Sequence, residues 1–435
     1  MTRRRGTLVS MLTCGAAVFA AAAAVPRQAV QAPTFEVDLM WPKPMANHWL
    51  LGSVVGLAID SRDHVFVVHL TNSFTARTEI GADATPPIGE CCRSAPAVLE
   101  FDPEGNVVNS WGGPGDGYAW PTSNHGLAID PDGNIWIGGS GGTDSHILKF
   151  SKAGKFIAQI GKAGAAPAPA PAAAPDTAYA GVSGAARGAG RGGDSAAAGR
   201  GGRGGRGGRG GGGGAPAALA PNSASTETFG GPADFSFDAA TGEAFVADGY
   251  RNRRVAVVDY KTGAIKRFWG ASGNAPSDAA NPPAAQQFGT PVTCAQLSRD
   301  QLVYVCDRAN NRIQVFRKNG QFVKEATVAP STRGDGAVWD VAFSRDANQR
   351  YLYVADGANM KVHVLDRVTL RELTSVGEGG RLAGQFYGVH SVATDSKGNL
   401  YTVETYQGKR LQKFNFKGVQ SVTKPMGPAW PGRGQ

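Results

Sequence analysis

Short stretches in which apolar and polar residues alternate recur along the chain and predict a protein built from β-strands. The clearest example runs from Tyr304 to Phe322, where Val303, Val305, Ile313 and Val315 flank a polar turn. Alternation with a period of two predicts half-buried strands. The turn between them has the form Asp-x-x-Asn-x-Arg, and such side chains hydrogen-bond to their own backbone. We therefore predict a strand, a polar turn and a second strand at this place.

Related phrases begin at Asp248, Asp356 and Glu404, so the pattern is an internal repeat. Repeats of about 40 residues with four short strands each are typical of β-propellers. Aligned on a shared aspartate or its substitute, six first strands are predicted: Val55–Asp60, His125–Asp130, Ala233–Asp238, Thr293–Ser298, Trp339–Ser344 and His390–Asp395. The sequence thus predicts an all-β, six-bladed β-propeller. The alternating stretch Phe35–Met40 is expected to complete the last blade and close the ring, which removes an exposed sheet edge.

The first 32 residues have the features of an export signal. Three arginines at positions 3–5 precede an apolar run, Leu8–Val25, and a small-residue motif ends at Ala32. An uncleaved anchor is the alternative, because the run is nearly long enough to span a bilayer. The signal predicts an exported protein, periplasmic or extracellular, with no other membrane association.

The propeller is predicted to occupy residues 33–424, followed by a C-terminal tail at 425–435. Residues 163–225 interrupt it with an Ala/Pro tract and Gly/Arg repeats that contain almost no large apolar residue. Such a segment cannot offset the entropy of ordering, so we predict that it is disordered. The formal net charge is +9. The signal and the insertion account for eight of these charges, so the folded part is almost neutral and no nucleic-acid binding is expected.

The repeat register predicts which side chains surround the central channel. The first residue of each inner strand is expected at the channel mouth: Val55, His125, Ala233, Thr293, Trp339 and His390. Antiparallel pairing brings the ends of the second strands beside them: His69, Gly139, Asp248, Asp307, Asp356 and Glu404. The turns that follow add Tyr250, Arg308 and Tyr406. One face of the ring is therefore expected to collect imidazoles, carboxylates, tyrosines and an arginine.

Two interpretations of these polar residues stay open. His125 and His390 occupy matched repeat positions, and neutral imidazoles are common zinc ligands, so the pair is a candidate metal site. Asp248, Asp307 and Asp356 are more simply interpreted as residues that brace their own turns.

Four stretches carry a family resemblance: HGLAIDPDGNIWI from His125, FGGPADFSFDAATGEAFVADGYRNRR from Phe229, VCDRANNRIQVF from Val305 and VHSVATDSKGNLYTVE from Val389. The chain resembles the NHL-repeat propellers and, among them, the peptidyl-α-hydroxyglycine α-amidating lyases and their bacterial relatives. The resemblance covers most of the chain after the signal, except the low-complexity insertion. It implies a six-bladed fold and a zinc held by three histidines, with a tyrosine as base and arginines that bind substrate.

Carried over residue by residue, the resemblance makes His125 and His390 two of the zinc ligands. It makes Tyr250 the catalytic tyrosine and Arg308 one substrate arginine. Thr293 stands near the remaining zinc position, where there is no imidazole.

Two further positions depart from the family pattern. No second substrate arginine lies near His69, and Ser391 replaces an aspartate that would help to hold calcium. Zinc is therefore expected to be bound weakly or lost, unless Asp307, His69 or Glu404 supplies a ligand. The sequence gives little support for a calcium site.

The cysteines after the signal form two pairs. Cys294 and Cys306 lie equally far from Asp300 at the turn of their hairpin, so they face each other and are predicted to form a disulfide. An exported protein can keep such a bond. For the adjacent Cys91 and Cys92, a vicinal disulfide, a soft-metal site and no role are all open, and we favour a structural or redox-inert role.

These inferences lead to one main functional hypothesis and two alternatives. The main hypothesis is a monomeric exported propeller that binds a small-molecule, peptide or protein ligand at one channel mouth. The Gly/Arg tract favours an acidic ligand or partner. The first alternative is a zinc-dependent carbon–nitrogen lyase of the amidating type with a modified site. The second is a protein–protein platform that uses the low-complexity segment. Both long insertions, 163–225 and 70–95, are expected on the face that carries the polar site.

Overall fold

The computed structural model describes residues 29–76, 78–164, 218–280, 283, 285–423 and 425–427. It contains six four-stranded antiparallel sheets that form a six-bladed β-propeller, which confirms the predicted fold.

Each blade runs from an inner strand at the channel, through a second and a third strand, to an outer strand. The inner strands of blades 1 to 6 are Val54–Ile59, Asn124–Ile129, Pro232–Asp238, Val292–Leu297, Asp340–Phe343 and Val389–Thr394. The second strands are Val65–His69, Ile135–Gly139, Glu243–Asp248, Leu302–Asp307, Tyr351–Asp356 and Leu400–Glu404. The third strands are Val98–Phe101, His146–Phe150, Arg254–Asp259, Arg312–Arg317, Lys361–Asp366 and Leu411–Val422. The outer strands are Val107–Trp111, Phe156–Gly161, Ile265–Trp269, Phe322–Thr327, Glu372–Val376 and, for blade 6, Val30–Val37.

The N-terminal strand closes the ring. Val30–Val37 pairs antiparallel with Leu411–Val422, and Phe35 faces Phe416. This confirms that the N-terminal segment completes the last blade, although the strand ends at Val37 and so includes only the first three residues of the predicted stretch Phe35–Met40. The strand nevertheless begins before the predicted propeller boundary at residue 33, and Ala32 is fully buried within it. Residues 1–28, which hold most of the predicted export signal, lie outside the described residues, as do residues 428–435 of the predicted tail.

Few other regular elements occur in the described ranges. The 3₁₀ helices are Ala46–His48, Gly81–Asp83, Ala271–Gly273 and Arg308–Asn310. Two-residue strands, Trp49–Leu50 and Arg93–Ser94, pair in parallel. Over the residues that the structure covers, no helix combines the length and the apolar character needed to cross a membrane.

The second strands of all six blades and the third strands of blades 1 to 5 are buried on both faces, which differs from the half-buried strands predicted by alternation. In Leu302–Asp307, for example, every residue after Leu302 is buried. The reason is that each blade packs between two others, so both faces of its sheet contact apolar side chains. Between blades 3 and 4, Val257 and Trp269 pack with Val303 and Phe316. Each such side chain contributes about 1.5–3 kcal/mol through burial.

Most inner strands are bulged at the end that reaches the channel mouth. In blades 1, 3, 4 and 6 the register with the second strand shifts by one residue, and the extra residues are Val55, Ala233, Thr293 and His390. In blade 2 the shift follows His125 and the extra residue is Gly126, which has a φ of 66°. Bulges of this kind re-aim side chains next to a site. They therefore place the predicted ring residues along the axis.

Candidate ligand site at the channel mouth

All six predicted ring residues line the central channel, which encloses about 440 Å³. They are Val55, His125, Ala233, Thr293, Trp339 and His390. Trp339 lies one residue before its strand, which begins at Asp340, but its backbone N–H still donates to the Ala355 carbonyl of the second strand.

Three polar rings from three blades converge on one atom. His125 Nε2 lies 3.0 Å from His390 Nε2 and 2.6 Å from the Tyr250 hydroxyl oxygen. All three side chains are buried, and their rings meet edge to face, with 4.8 Å between the centroids of His125 and each of the other two. The structure thus brings together three of the four predicted site residues.

The other nitrogen of each imidazole is also engaged. His125 Nδ1 lies 3.0 Å from the Ala233 carbonyl oxygen, which can only accept, so Nδ1 carries the proton. His390 Nδ1 lies 2.9 Å from the Ser391 hydroxyl. Both rings are therefore fixed in orientation by neighbours on the inner strands.

Local backbone geometry fixes Tyr250. Its N–H donates to the carbonyl of Gly231, whose φ is 85° and where a side chain would collide with the Tyr250 Cβ. The next residue, Arg251, donates from both terminal nitrogens to the Gly141 and Asp144 carbonyls of blade 2, each at 2.6 Å. The FGGPAD and DGYRNRR motifs therefore act as one unit that anchors the tyrosine against the neighbouring blade.

Arg308, the fourth predicted residue, lies on the same rim but is not in this cluster of rings. Its guanidinium carbon is 3.5 Å from the Trp339 ring centroid, a close cation–π contact. Its Nε donates to the Asp335 carbonyl at 2.6 Å, and the Tyr406 hydroxyl donates to the Asp335 carboxylate at 2.8 Å. Trp339 also meets His390 edge to face, with the centroids 5.7 Å apart. A continuous path of contacts therefore joins Arg308 to the histidines.

The carboxylates at the ends of the second strands are turn braces, as the simpler interpretation holds. In blades 3 to 6 each bonds a cationic side chain of the following strand or turn: Asp248 with Arg254, Asp307 with Arg312, Asp356 with His363 and Glu404 with Arg410. His363, which the register did not single out, thus takes the place of an arginine. Burial alone would lower its pKa, but the bonds to Asp356 and Glu372 outweigh burial and raise the pKa to about 9.

The residues at the mouth do not match a zinc site with three protein ligands. Thr293 stands where a third imidazole would be needed, and its hydroxyl donates to the Val338 carbonyl at 3.3 Å. Asp307 and Glu404 are held by arginines. His69 lies 3.0 Å from the Pro96 carbonyl through Nε2 and accepts from the Gly52 N–H through Nδ1, and burial lowers its pKa to about 4. Within the described ranges, no group of three His, Cys, Asp or Glu side chains is arranged to hold a metal ion.

Both long insertions adjoin this rim where the structure describes them. Gly164 and Leu219, on either side of the low-complexity segment, donate backbone bonds to Thr143 and Gly142, in the loop that Arg251 contacts. Residues 165–217, most of the segment predicted to be disordered, lie outside the described residues. The 70–95 loop of blade 1 contacts the turn that carries Tyr406, since Glu79 in the loop accepts from Lys409 of that turn at 2.6 Å.

The predicted end of the insertion at Ser225 needs correction. Arg254, fully buried, donates to the carbonyls of Ser223 at 2.9 Å, Ser225 at 2.6 Å and Thr228 at 2.9 Å. The segment from 218 to 225 is therefore part of the folded rim. Its small polar residues gave no apolar pattern, and the partner that holds it comes from a distant strand.

Both cysteine pairs form disulfides. Cys294 and Cys306 are directly paired across the inner and second strands of blade 4, with 4.9 Å between their Cα atoms. This confirms the predicted bond. Cys91 and Cys92 form a vicinal disulfide in the 70–95 loop, which is the first of the three options for that pair.

Sequence reasoning missed three aspartates. Asp335 links Arg308 to Tyr406 from a loop that has no repeat pattern. Asp234 and Asp340 directly follow the ring residues of blades 3 and 5 and line the channel. Burial raises the pKa of Asp234 to about 7, and burial together with the charge of Asp234 raises the pKa of Asp340. Their shared position after a ring residue was the signal that could have identified them.

Comparison with known proteins agrees with the resemblance seen in the motifs. No family model matches the chain. Over 414 residues it is 24% identical to peptidyl-alpha-hydroxyglycine alpha-amidating lyase 1 of Drosophila melanogaster. This alignment covers 90% of this chain and 61% of that protein. Over 302 residues it is 26% identical to peptidyl-glycine alpha-amidating monooxygenase B of Xenopus laevis, covering 67% of this chain and 25% of that protein.

Among solved structures, virginiamycin B lyase from Staphylococcus aureus aligns with a TM-score of 0.44 at 11% identity, covering 90% of this chain and 89% of that one. The chain spans about a quarter to three fifths of the length of the two curated relatives. It is a six-bladed β-propeller with distant sequence similarity to the amidating lyases and monooxygenases.

Proposed function

We propose that this protein is an exported ligand-binding propeller whose ligand is recognised at the channel mouth. The observation that carries the proposal is the convergence of Tyr250 and His390 on His125 Nε2, from three separate blades. Polar groups buried next to a channel and held by defined hydrogen bonds are the usual recognition elements of a small-molecule site. Because these groups are fixed before a ligand arrives, little ordering entropy is lost on binding.

An acidic ligand suits the same rim. The Asp335 carboxylate accepts from the Tyr406 hydroxyl and lies 3.9 Å from a terminal nitrogen of Arg308, and its side chain is 49% exposed. We infer that a ligand carboxylate binds Arg308 and Tyr406 where the Asp335 carboxylate now lies. Arginine is the residue best suited to bind a carboxylate through two parallel hydrogen bonds.

A second candidate function is an amidating-type carbon–nitrogen lyase acting on a peptidyl-α-hydroxyglycine. It is favoured by the 2.6 Å contact between Tyr250 and His125, which pairs a tyrosine with a proton acceptor, and by similarity to the Drosophila lyase over most of this chain. Tyr250 would be the group nearest to the ligand hydroxyl in that reaction, and Arg308 would orient the carboxylate.

One experiment separates the two functions. N-benzoyl-α-hydroxyglycine is titrated into the purified protein by calorimetry, and the same mixtures are assayed for glyoxylate. Binding without glyoxylate supports a binding module, and glyoxylate formation supports the lyase. In both cases Tyr250→Phe and Arg308→Gln should weaken binding about tenfold or more. Tyr118→Phe, whose hydroxyl bonds Gly113 away from the mouth, should not. Equal affinity in all four proteins would place the ligand elsewhere.

A further inference from the structure

We propose that the Cys91–Cys92 disulfide is a site of reversible thiol modification, and that its reduction by a dithiol loosens the 70–95 loop beside the channel mouth. This inference goes beyond the proposed function and does not depend on the ligand. It departs from the inert role expected from the sequence, because the structure exposes this pair and links it to the rim.

The two disulfides in the described part of the chain differ in how easily a thiol can reach them. Cys91 is exposed and Cys92 is partly exposed. Cys294 and Cys306 are fully buried between paired strands of blade 4. Thiol–disulfide exchange begins when a thiolate attacks a sulfur, so its rate depends on access. A reductant should therefore react with the Cys91–Cys92 pair and spare the buried one.

The backbone of the cysteine pair packs against an earlier part of the same loop. The Cys92 carbonyl accepts from the Ala82 N–H at 3.2 Å. The Cys91 carbonyl lies so close to Gly81 that a side chain at this glycine would meet it at 2.9 Å. Both contacts involve the 3₁₀ helix Gly81–Asp83. Opening the disulfide frees the two cysteine side chains and the backbone between them, so the packing of this helix loses a covalent restraint.

The same helix is tied to the strand that follows the cysteines. Asp83 accepts from the Arg93 guanidinium at 3.0 Å and from the Ser94 N–H at 2.8 Å. The Arg93 and Asp83 side chains are partly exposed, and ion pairs of this kind stabilise only weakly. The disulfide is therefore the restraint whose loss should change the order of this segment most.

A short series of bonds leads from the cysteine pair to the rim. The strand Arg93–Ser94 follows the pair directly and lies parallel to Trp49–Leu50. Two residues beyond these strands, the Gly52 N–H donates to His69 Nδ1 at 3.1 Å and the Pro96 carbonyl lies 3.0 Å from His69 Nε2. His69 is fully buried at the end of the second strand of blade 1. A change in the order of the loop should therefore reach the blade 1 side of the channel mouth.

The proposed reaction is a two-step exchange with a dithiol. A thiolate of the reductant attacks Sγ of Cys91, the bond between Cys91 and Cys92 breaks, and Cys92 leaves as a thiolate. The second thiol of the reductant then attacks the reductant sulfur of this mixed disulfide, which closes the reductant's own disulfide and releases Cys91. The dithiol supplies the two electrons and the two protons that the protein thiols gain. Each step is reversible, so an oxidised dithiol can close the pair again.

The first test measures which cysteines react. The folded, oxidised protein is treated with dithiothreitol, free thiols are alkylated, and each cysteine is quantified by peptide mass spectrometry. Cys91 and Cys92 should be alkylated at least about tenfold faster than Cys294 and Cys306. Equal rates in the folded protein, or a Cys91–Cys92 pair that resists the reductant, would overturn the proposal.

The second test measures amide hydrogen exchange with and without dithiothreitol, at a dose that leaves the buried disulfide intact by mass spectrometry. Reduction should raise exchange in residues 81–95 and at Gly52, whose N–H bonds His69. Unchanged exchange in the loop would refute the restraint, and unchanged exchange at Gly52 would refute the link to the rim.

A variant separates this pair from other effects of the reductant. The double substitution Cys91→Ser and Cys92→Ser should show raised exchange in the loop without dithiothreitol and no further response to it. The double substitution Cys294→Ser and Cys306→Ser is the matched control and should respond as the wild type does. If this control does not fold, wild type with only the first pair reduced serves in its place. A response that persists in the Cys91→Ser and Cys92→Ser protein would contradict the proposal.

Discussion

The Lys409 ammonium lies 2.6 Å from Glu79 Oε1 and ties the 70–95 loop of blade 1 to the blade 6 turn that carries Tyr406. Lys409 also lies 5.0 Å from the ring centroid of Phe74. Partial burial raises the pKa of Glu79, but the bonds from Lys409 and from the Ala76 and Thr75 amides outweigh burial and lower the pKa to about 2. Glu79 therefore stays ionised over the physiological range.

We predict that Lys409→Met loosens the 70–95 loop without unfolding the propeller. Amide hydrogen exchange in this loop should rise, while the free energy of unfolding falls by less than about 1 kcal/mol, as is usual for partly exposed ion pairs. Lys162→Met, which breaks the exposed pair with Glu227, is the control and should leave exchange in the loop unchanged. Unaltered exchange in Lys409→Met would show that other contacts hold the loop.

Two deletions test the corrected boundary of the insertion. Removal of residues 165–217 should change the melting temperature by no more than about 2 °C, because the anchors at Gly164 and Leu219 remain. Removal of 163–225 takes away the Ser223 and Ser225 carbonyls that accept from buried Arg254. The buried guanidinium keeps Asp248 and the Thr228 carbonyl but loses these two acceptors, which costs about 3 kcal/mol, so calorimetry should show a much lower melting temperature. Equal melting temperatures for the two deletions would contradict the boundary at residue 218.

Thr293→His should create a zinc site. It adds a third imidazole beside His125 and His390, which gives the ligand number of catalytic zinc centres. We expect stoichiometric zinc and an affinity at least tenfold above that of the wild type in competition with a chromophoric chelator. Thr293→Val is the matched control, since it removes the same hydroxyl and adds no ligand. If Thr293→His gains no more affinity than Thr293→Val, the imidazoles do not converge as described.

His363 predicts a specific dependence of stability on pH. Its pKa in the folded protein is raised to about 9 from an ordinary value of 6.5. The stability it contributes is therefore complete below pH 6.5 and is lost as the pH rises through 9. His363→Gln should lower the free energy of unfolding by about 2 kcal/mol at pH 6 and by much less at pH 10. Exposed His48→Gln is the control, and a constant difference between His363→Gln and wild type across this range would disprove the charged pair.

The raised pKa of the channel residue Asp234 predicts that a neutral substitution there will stabilise the protein at high pH. The pKa of Asp234 in the folded protein, about 7, lies above the ordinary 3.8, so stability falls as the pH rises from about 4 to 7, where the buried carboxyl becomes charged. Asp234→Asn removes the buried charge that this carboxyl carries above pH 7, while Gln296, which now donates to Asp234 at 2.6 Å, can turn its amide to match. The melting temperature should rise clearly at pH 8 and by less at pH 5. A destabilised variant at pH 8, with surface Asp132→Asn unaffected, would show that burying the Asp234 charge is not costly.

Repeat register alone was sufficient to predict the blades and the residues at the channel mouth. His125 and His390 were found because an equivalent position recurs in every inner strand. Their 3.0 Å contact was not predictable, since it depends on the channel radius and on bulges that leave no mark in the alternation. Burial of both strand faces was also missed, because alternation reports one sheet face while packing between blades depends on the whole ring.

Contacts made by loop residues and by long side chains could not be predicted from the sequence. Asp335 joins Arg308 and Tyr406 from a stretch without periodicity, so its place could not be derived. His363 lies outside the histidine register, and its role depends on a cross-strand reach of 2.9 Å to Asp356. Side-chain length and strand stagger determine such contacts, and neither is visible in a pattern of apolar positions.

The closure of blade 6 has a consequence for biosynthesis. The Thr34 hydroxyl donates to the Gly418 carbonyl, 384 positions away, so the first strand that the structure describes pairs with the last one. A contact between residues so far apart in the sequence forms late, because the entropy of closing a long loop must be overcome before any pairing energy is gained. Until this pairing forms, the third strand of blade 6 is an open edge that can template aggregation. Folding yield in the cell should therefore depend on how well that edge is shielded until Val30–Val37 pairs with it.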